Sequence, residues 1–114
     1  MMSLAEHFDL ESLDMLREVM DDEFADLMRV YIDDSRQRMP LLSQALQQQD
    51  AKQLRELAHS FKGASSNVSA NVLAQLCYQL EMAGREEQLA GADALIAAIE
   101  AEYRNVEILL QDMM

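Results

Sequence analysis

His59 is followed at the third and fourth positions by Lys62 and Gly63, within the stretch Ala58-His59-Ser60-Phe61-Lys62-Gly63-Ala64-Ser65-Ser66. A helix advances about 100° per residue, so with Leu54 as origin Leu57, Ala58, Phe61, Ser65 and Val68 fall within about 60° and form a buried stripe. His59 lies about 140° from that origin and Gly63 about 180°, with Ser66, Arg55 and Lys62 at about 120°, 100° and 80°. The imidazole therefore faces water. A solvated histidine beside a chance lysine is the plain account of such a pattern, and Gly63 argues against it. Glycine inside a helix costs about 1 kcal/mol relative to alanine, and nothing here asks for a break. One turn beyond His59, its bare backbone leaves room for a partner to approach the ring. Lys62, on the neighbouring ridge, can carry its ammonium to an anion attached to the imidazole. An exposed imidazole is largely neutral near pH 7, and its free ring lone pair is a nucleophile for which a phosphoryl group is the natural electrophile.

The elements that must hold these residues are helical. Asp9 reads as the N-cap of a short first helix with Leu10, Leu13, Leu16 and Val19 or Met20 on one stripe, ending near Asp21-Asp22. A second apolar series, Phe24, Leu27, Met28, Tyr31, Leu42, Ala45 and Leu46, runs to Gln47-Gln48-Gln49, and Pro40 is expected to kink or break it. Asp50 caps a third helix that carries His59 and ends around Val68-Ser69. The fourth uses Val72, Leu73, Leu76, Cys77 and Leu80, with Gly84 where a left-handed terminating residue is expected. The last begins near Gly91-Ala92-Asp93 and continues through Leu95, Ile96, Ile99, Tyr103 and Val106 to Met113. Helices of this length with short connections pack antiparallel. The expected fold is all-α, an antiparallel up-down four-helix bundle with a short additional N-terminal helix, and residues 1–114 form one domain.

Composition agrees and removes whole classes of function. The 114 residues are 50% hydrophobic and 26% charged, enough apolar material for a core and too much for disorder, and only three Gly and one Pro favour helix over turn-rich β folds. A formal charge of −12 sets the surface against nucleic acid and anionic lipid. Cys77 is the single cysteine, which cannot form an intrachain disulfide and fits a reducing compartment as a small buried thiol. The first residues lack a secretory signal, and no apolar run approaches the ~20 residues of a membrane span, so a soluble cytoplasmic protein is expected. His7, near the terminus, reads as solvated and without a role.

The stretch around His59 resembles the signature of histidine-containing phosphotransfer (HPt) domains, A-H-x-L-K-G-S/A-S/A. Leu73, Leu76, Cys77, Leu80, Glu81, Gly84 and Arg85 are similar to the L-x-x-L-C-x-x-L-E-x-x-G-R run on the next helix of many members. About a quarter of the chain carries this resemblance. It implies that His59 accepts a phosphoryl group, on Nε2, from a phosphoaspartate of a response-regulator receiver domain and passes it to another. Lys62 would stabilise phosphate charge, Gly63 would admit the receiver's loop, and Glu81 would hold Nδ1–H and fix the tautomer. By helical position alone Glu81 reads equally as a solvated residue beside its core stripe. Arg55 and Ser66 stand as supporting residues on the same face. Phe61 replaces the usual Leu, and Ser69 stands where relatives often have Gly, free to cap the next helix instead.

The resemblance further implies a carrier rather than an enzyme: the chain has no G-x-x-x-x-G-K-S/T loop and no cofactor of its own, and Mg²⁺ belongs on the partner receiver. Its partners would be response-regulator receiver domains and hybrid sensor histidine kinases, met as a monomer. The initiating methionine suggests a free-standing carrier, yet an excised domain of a larger kinase would look alike. Receiver docking needs an apolar patch, for which Leu13, Leu16 and Met20, with Phe24 and Met28, are the candidates. Two rivals compete. A histidine-kinase dimerisation and phosphoacceptor domain typically has an acidic residue directly after its histidine and a proline soon after, whereas Ser60 follows His59 and no proline comes later. A helical adaptor would bind partners without chemistry.

Overall fold

Asp9 and Asp50 stand just outside two helices and accept hydrogen bonds from the backbone N–H groups of Ser12 (3.2 Å) and Gln53 (3.0 Å), each satisfying an otherwise unpaired first-turn donor. In the computed structural model, which describes residues 2–114, these caps open α1 (Leu10–Met20) and α3 (Ala51–Asn67). The other helices are α2 (Phe24–Gln47), α4 (Asn71–Arg85) and α5 (Ala92–Met113), with short 3₁₀ turns at Leu4–Glu6 and Asp21–Glu23. Helices α2 to α5 form the bundle, within an envelope of 41 × 24 × 20 Å.

The core follows the spacing. Met28, Leu42, Leu54, Phe61, Leu73, Leu80, Ile99, Val106 and Leu110 are buried, as is Ser65, whose hydroxyl is satisfied by that of Tyr31 at 2.8 Å. Tyr103 lies between Tyr31 and Phe61, with ring centroids 6.2 and 6.1 Å away in tilted geometry. Burial pushes the Cys77 thiol up to about 12, leaving it inert. Val72, expected inside, is exposed at the start of α4.

Helices α2, α3 and α4 all leave by one device. Gln49, Ser69 and Glu87 take positive φ (53°, 65° and 56°), and the next N–H reaches back to the carbonyl five residues earlier: Asp50 to Ala45, Ala70 to Ser65 and Gln88 to Ala83, each at 2.9–3.0 Å. This is the Schellman arrangement, with non-glycine residues in the left-handed position. Gly84 is therefore not the terminator expected of it. It lies inside α4, where a Cβ would stand 2.8 Å from the Ala51 carbonyl oxygen and 3.0 Å from both N and Cβ of Arg55. Its missing side chain lets α4 close on α3. The same contacts show the two helices to be antiparallel, the end of α4 meeting the start of α3.

Ser69 does not cap α4 either, for its left-handed backbone turns it towards α1. Its carbonyl accepts from Asp9 N at 2.9 Å, and its hydroxyl bonds that of Ser12 at 2.7 Å. Pro40 does not break α2, which runs through it. Pro40 and Arg36, whose carbonyl loses its partner there, both lie on the exposed side where water can take the free acceptor, while Tyr31, Ile32, Leu42 and Ala45 anchor both halves inside. His7 is buried, contrary to expectation, with Nδ1 2.7 Å from Glu102 Oε2. The cause is Phe8, which enters the core and draws the preceding residue onto α5.

Candidate functional site

The Leu54–Ala58–Phe61–Ser65 stripe locks α3 inward, so the opposite side of that helix carries His59 out to solvent, its side chain 68% exposed. Across from it, α4 presents Glu81. That carboxylate is 4% exposed, and its Oε2 lies 3.0 Å from His59 Nδ1 while Oε1 accepts from Lys62 Nζ at 2.7 Å. Arg85 Nη2 donates weakly to the same Oε2 at 3.4 Å. An ionised carboxylate only accepts, so Nδ1 carries the ring hydrogen and Nε2 keeps its lone pair, directed away from Glu81.

The resemblance made Glu81 a ring partner while the wheel read it equally as solvated, and the structure puts it under the imidazole. Burial acts to raise its carboxyl, and the hydrogen bonds and charges of Lys62 and His59 outweigh this, holding the group below its usual range. A carboxyl lowered by folding adds stability that is present above its unfolded value and lost as pH falls through the folded one. Glu81→Gln should therefore be less stable than the wild type by about 1 kcal/mol near neutral pH, Gln keeping an acceptor without the charge. The gap should close in acid, below the ordinary carboxylate range. Urea unfolding at stepped pH measures it, and a gap unchanged down to about pH 3 would show that the charge contributes nothing.

Gly63 lies on the open side, where a Cβ would meet nothing within 4 Å. Beside it Lys62, Ser66 and Tyr78 line a groove of about 520 Å³ that continues to Asp9 and Ser12 at the start of α1. On the other side of His59, Arg55, Glu56, Glu81 and Arg85 enclose a shallower depression of about 300 Å³. The structure thus gathers His59, Lys62, Gly63, Glu81 and Arg55 on one face, with Ser66 on the groove. Arg85 and Tyr78 join them. Arg85 was legible only as part of a motif, and Tyr78 carried no signal beyond being three residues before Glu81.

The proposed docking residues separate differently. Leu13, Phe24 and Met28 are buried, and Leu16 and Met20 are half-buried against the core. Three of the five are therefore no free surface: this stripe is what attaches α1 to the bundle. The outer side of α1 instead shows Met15 and Val19, 60% and 78% exposed.

A family model described as the Hpt domain matches residues 26–109, and the chain belongs to that family. It is similar to the crystal structure of histidine-containing phosphotransfer protein B (HptB) from Pseudomonas aeruginosa PAO1, at 44% identity and a TM-score of 0.91 over 94% of this chain and 93% of that one. The fold also matches the histidine-containing phosphotransfer protein ZmHP2 from maize, at 21% identity and a TM-score of 0.86 over 96% of this chain and 91% of that one. No curated protein sequence matches the chain. The protein acts in histidine phosphotransfer within a phosphorelay, in a family of carriers rather than kinases that works with response regulators and kinases. Among the described residues no helix is long and apolar enough to cross a membrane.

Proposed function

We propose that His59 is the phosphoryl acceptor and that Nε2 is the reacting atom. The observation that carries this is the buried Glu81 carboxylate on Nδ1, which turns the other nitrogen, with its lone pair, into solvent. In the forward step that lone pair attacks the phosphorus of an aspartyl phosphate on a receiver domain. The N–P bond forms as the acyl P–O bond breaks, the aspartate leaves as carboxylate, and the ring keeps its Nδ1 hydrogen. The imidazolium so formed is balanced by Glu81, and Lys62 lies where it can neutralise phosphoryl oxygens. The reverse attack by a second receiver's aspartate completes the relay. Catalysis here is positioning and charge neutralisation. Mg²⁺ and the acidic cluster belong to the receiver, and Arg55 and Ser66 flank the transferred group.

The partners on this reading are receiver domains of response regulators and of hybrid sensor kinases, met by a monomer in the cytoplasm. They dock over Gly63 and the groove beside Lys62, with Met15 of α1 at its margin. Incubation with a phosphorylated receiver tests the reading: the chain should acquire one acid-labile, base-stable phosphate, and the phosphohistidine released by digestion should be the Nε2 isomer. A pure adaptor stays unlabelled, and a kinase fragment forms a stable dimer.

Gly63 supplies a test in which stability and function move oppositely. Gly63→Ala meets no neighbour in the free protein, so helix propensity should stabilise it by about 0.5–1 kcal/mol. Transfer should nevertheless slow, because the added methyl occupies the approach to Nε2. Thermal unfolding and single-turnover transfer, run on the same preparation, measure both, and a variant as fast as wild type would remove Gly63 from the docking face.

A further inference from the structure

We propose that Tyr78 is a positioning residue for Lys62, its ring forming one wall of a slot that keeps the ammonium beside His59; the proposal rests on the reading of His59 as phosphoryl acceptor. Lys62 Nζ lies 5.3 Å from the centroid of the Tyr78 ring while it donates to Glu81 Oε1 at 2.7 Å. Tyr78 and Glu81 stand three residues apart on α4, on adjoining ridges of one face, and Lys62 reaches across from α3 into the gap between them. One wall is a carboxylate and the other a π face, and both attract a cation.

Packing does not account for the ring. Tyr78 is 43% exposed, and the inner side of α4 is already filled by Leu73, Cys77 and Leu80. Lysine is a compact charge on a flexible four-carbon stem, and in a chain of net charge −12 an unconfined ammonium has many competing carboxylates. Glu81 alone would draw it inward, towards a carboxylate only 4% exposed and away from the outward Nε2. The aromatic wall extends towards solvent, so the cation can turn from Glu81 to a phosphoryl group without leaving an attractive surface. Tyr78 acts through Lys62 and touches no reacting atom.

Two measurements test this, one independent of any phosphate. In the unphosphorylated protein, NMR should find the Lys62 side-chain protons shifted upfield by the ring, retained in Tyr78→Phe and returned to free-lysine positions in Tyr78→Leu. In single-turnover transfer from a phosphorylated receiver, Tyr78→Leu should lower the saturating rate about threefold, the worth of a partly exposed cation–π contact. Tyr78→Phe should restore that saturating rate, and in a Lys62→Ala background Tyr78→Leu should leave the saturating rate unaltered. The same threefold loss without Lys62, a change confined to half-saturation, or free-lysine shifts in the wild type would each overturn the proposal. A wild type that takes no phosphate on His59 would fell the functional reading and this role with it, and the ring shifts would still report whether the slot exists.

Discussion

His59→Gln should take no label from a phosphorylated receiver, while its fold and its Tm stay within a few degrees of wild type. Glutamine reproduces the size of the side chain and can still donate to Glu81, but an amide offers no nucleophilic nitrogen, since its lone pair is delocalised into the carbonyl. The imidazole is 68% exposed, so what is removed from the folded state is one partly solvated hydrogen bond, worth about 0.5–1 kcal/mol. Loss of labelling should thus be complete and loss of stability slight. The chain has two histidines, and His7 is buried against Glu102, which makes it the internal control. Its replacement by Gln should leave labelling intact even if unfolding shifts. Phosphate retained by His59→Gln and lost from the His7 variant would reverse the assignment.

Gly84→Val should strongly destabilise the contact between α3 and α4. Even the first added carbon lies 2.8 Å from the Ala51 carbonyl oxygen and 3.0 Å from the Arg55 backbone nitrogen, and backbone cannot swing aside as a side chain can. Overpacking of this kind costs about 3 kcal/mol, or roughly 12 °C in Tm at about 4 °C per kcal/mol for a domain of this size. Gly84→Ala should lose less, because alanine regains about 1 kcal/mol of helix propensity. The effect should also reach the site. Glu81 is three residues before Gly84, so prising α4 from α3 lengthens its bonds to His59 and Lys62. Denaturation curves of both variants measure the first effect, and the chemical shifts of the imidazole the second. A Tm equal to wild type for Gly84→Val would mean that α3 and α4 do not approach as closely as described.

The two buried or bare glycines mark how far a single chain can be read. Both interrupt helical patterns, and only Gly63 could be interpreted from its own helix, because helical phase placed it opposite a complete apolar stripe. Gly84 looked like a terminator because glycine commonly is one, and the role of the left-handed residue fell to Glu87. The same limit explains Leu13 and Met28. An apolar stripe announces that it will be covered without saying by what, so residues that fasten α1 to the bundle could pass for a docking patch.

What the amino-acid order determined by itself was angular and local: five helices, the caps at Asp9 and Asp50, and an imidazole, an ammonium and a bare backbone on the outer side of α3. What only the tertiary structure decided was pairwise: Glu81 beneath His59, Tyr78 beside Lys62, Ser69 tied to Ser12, His7 drawn onto Glu102. Periodicity fixes the direction of a side chain around its own axis. It holds no record of which helix will stand opposite, or at what distance, because those are set by how several apolar faces close together at once.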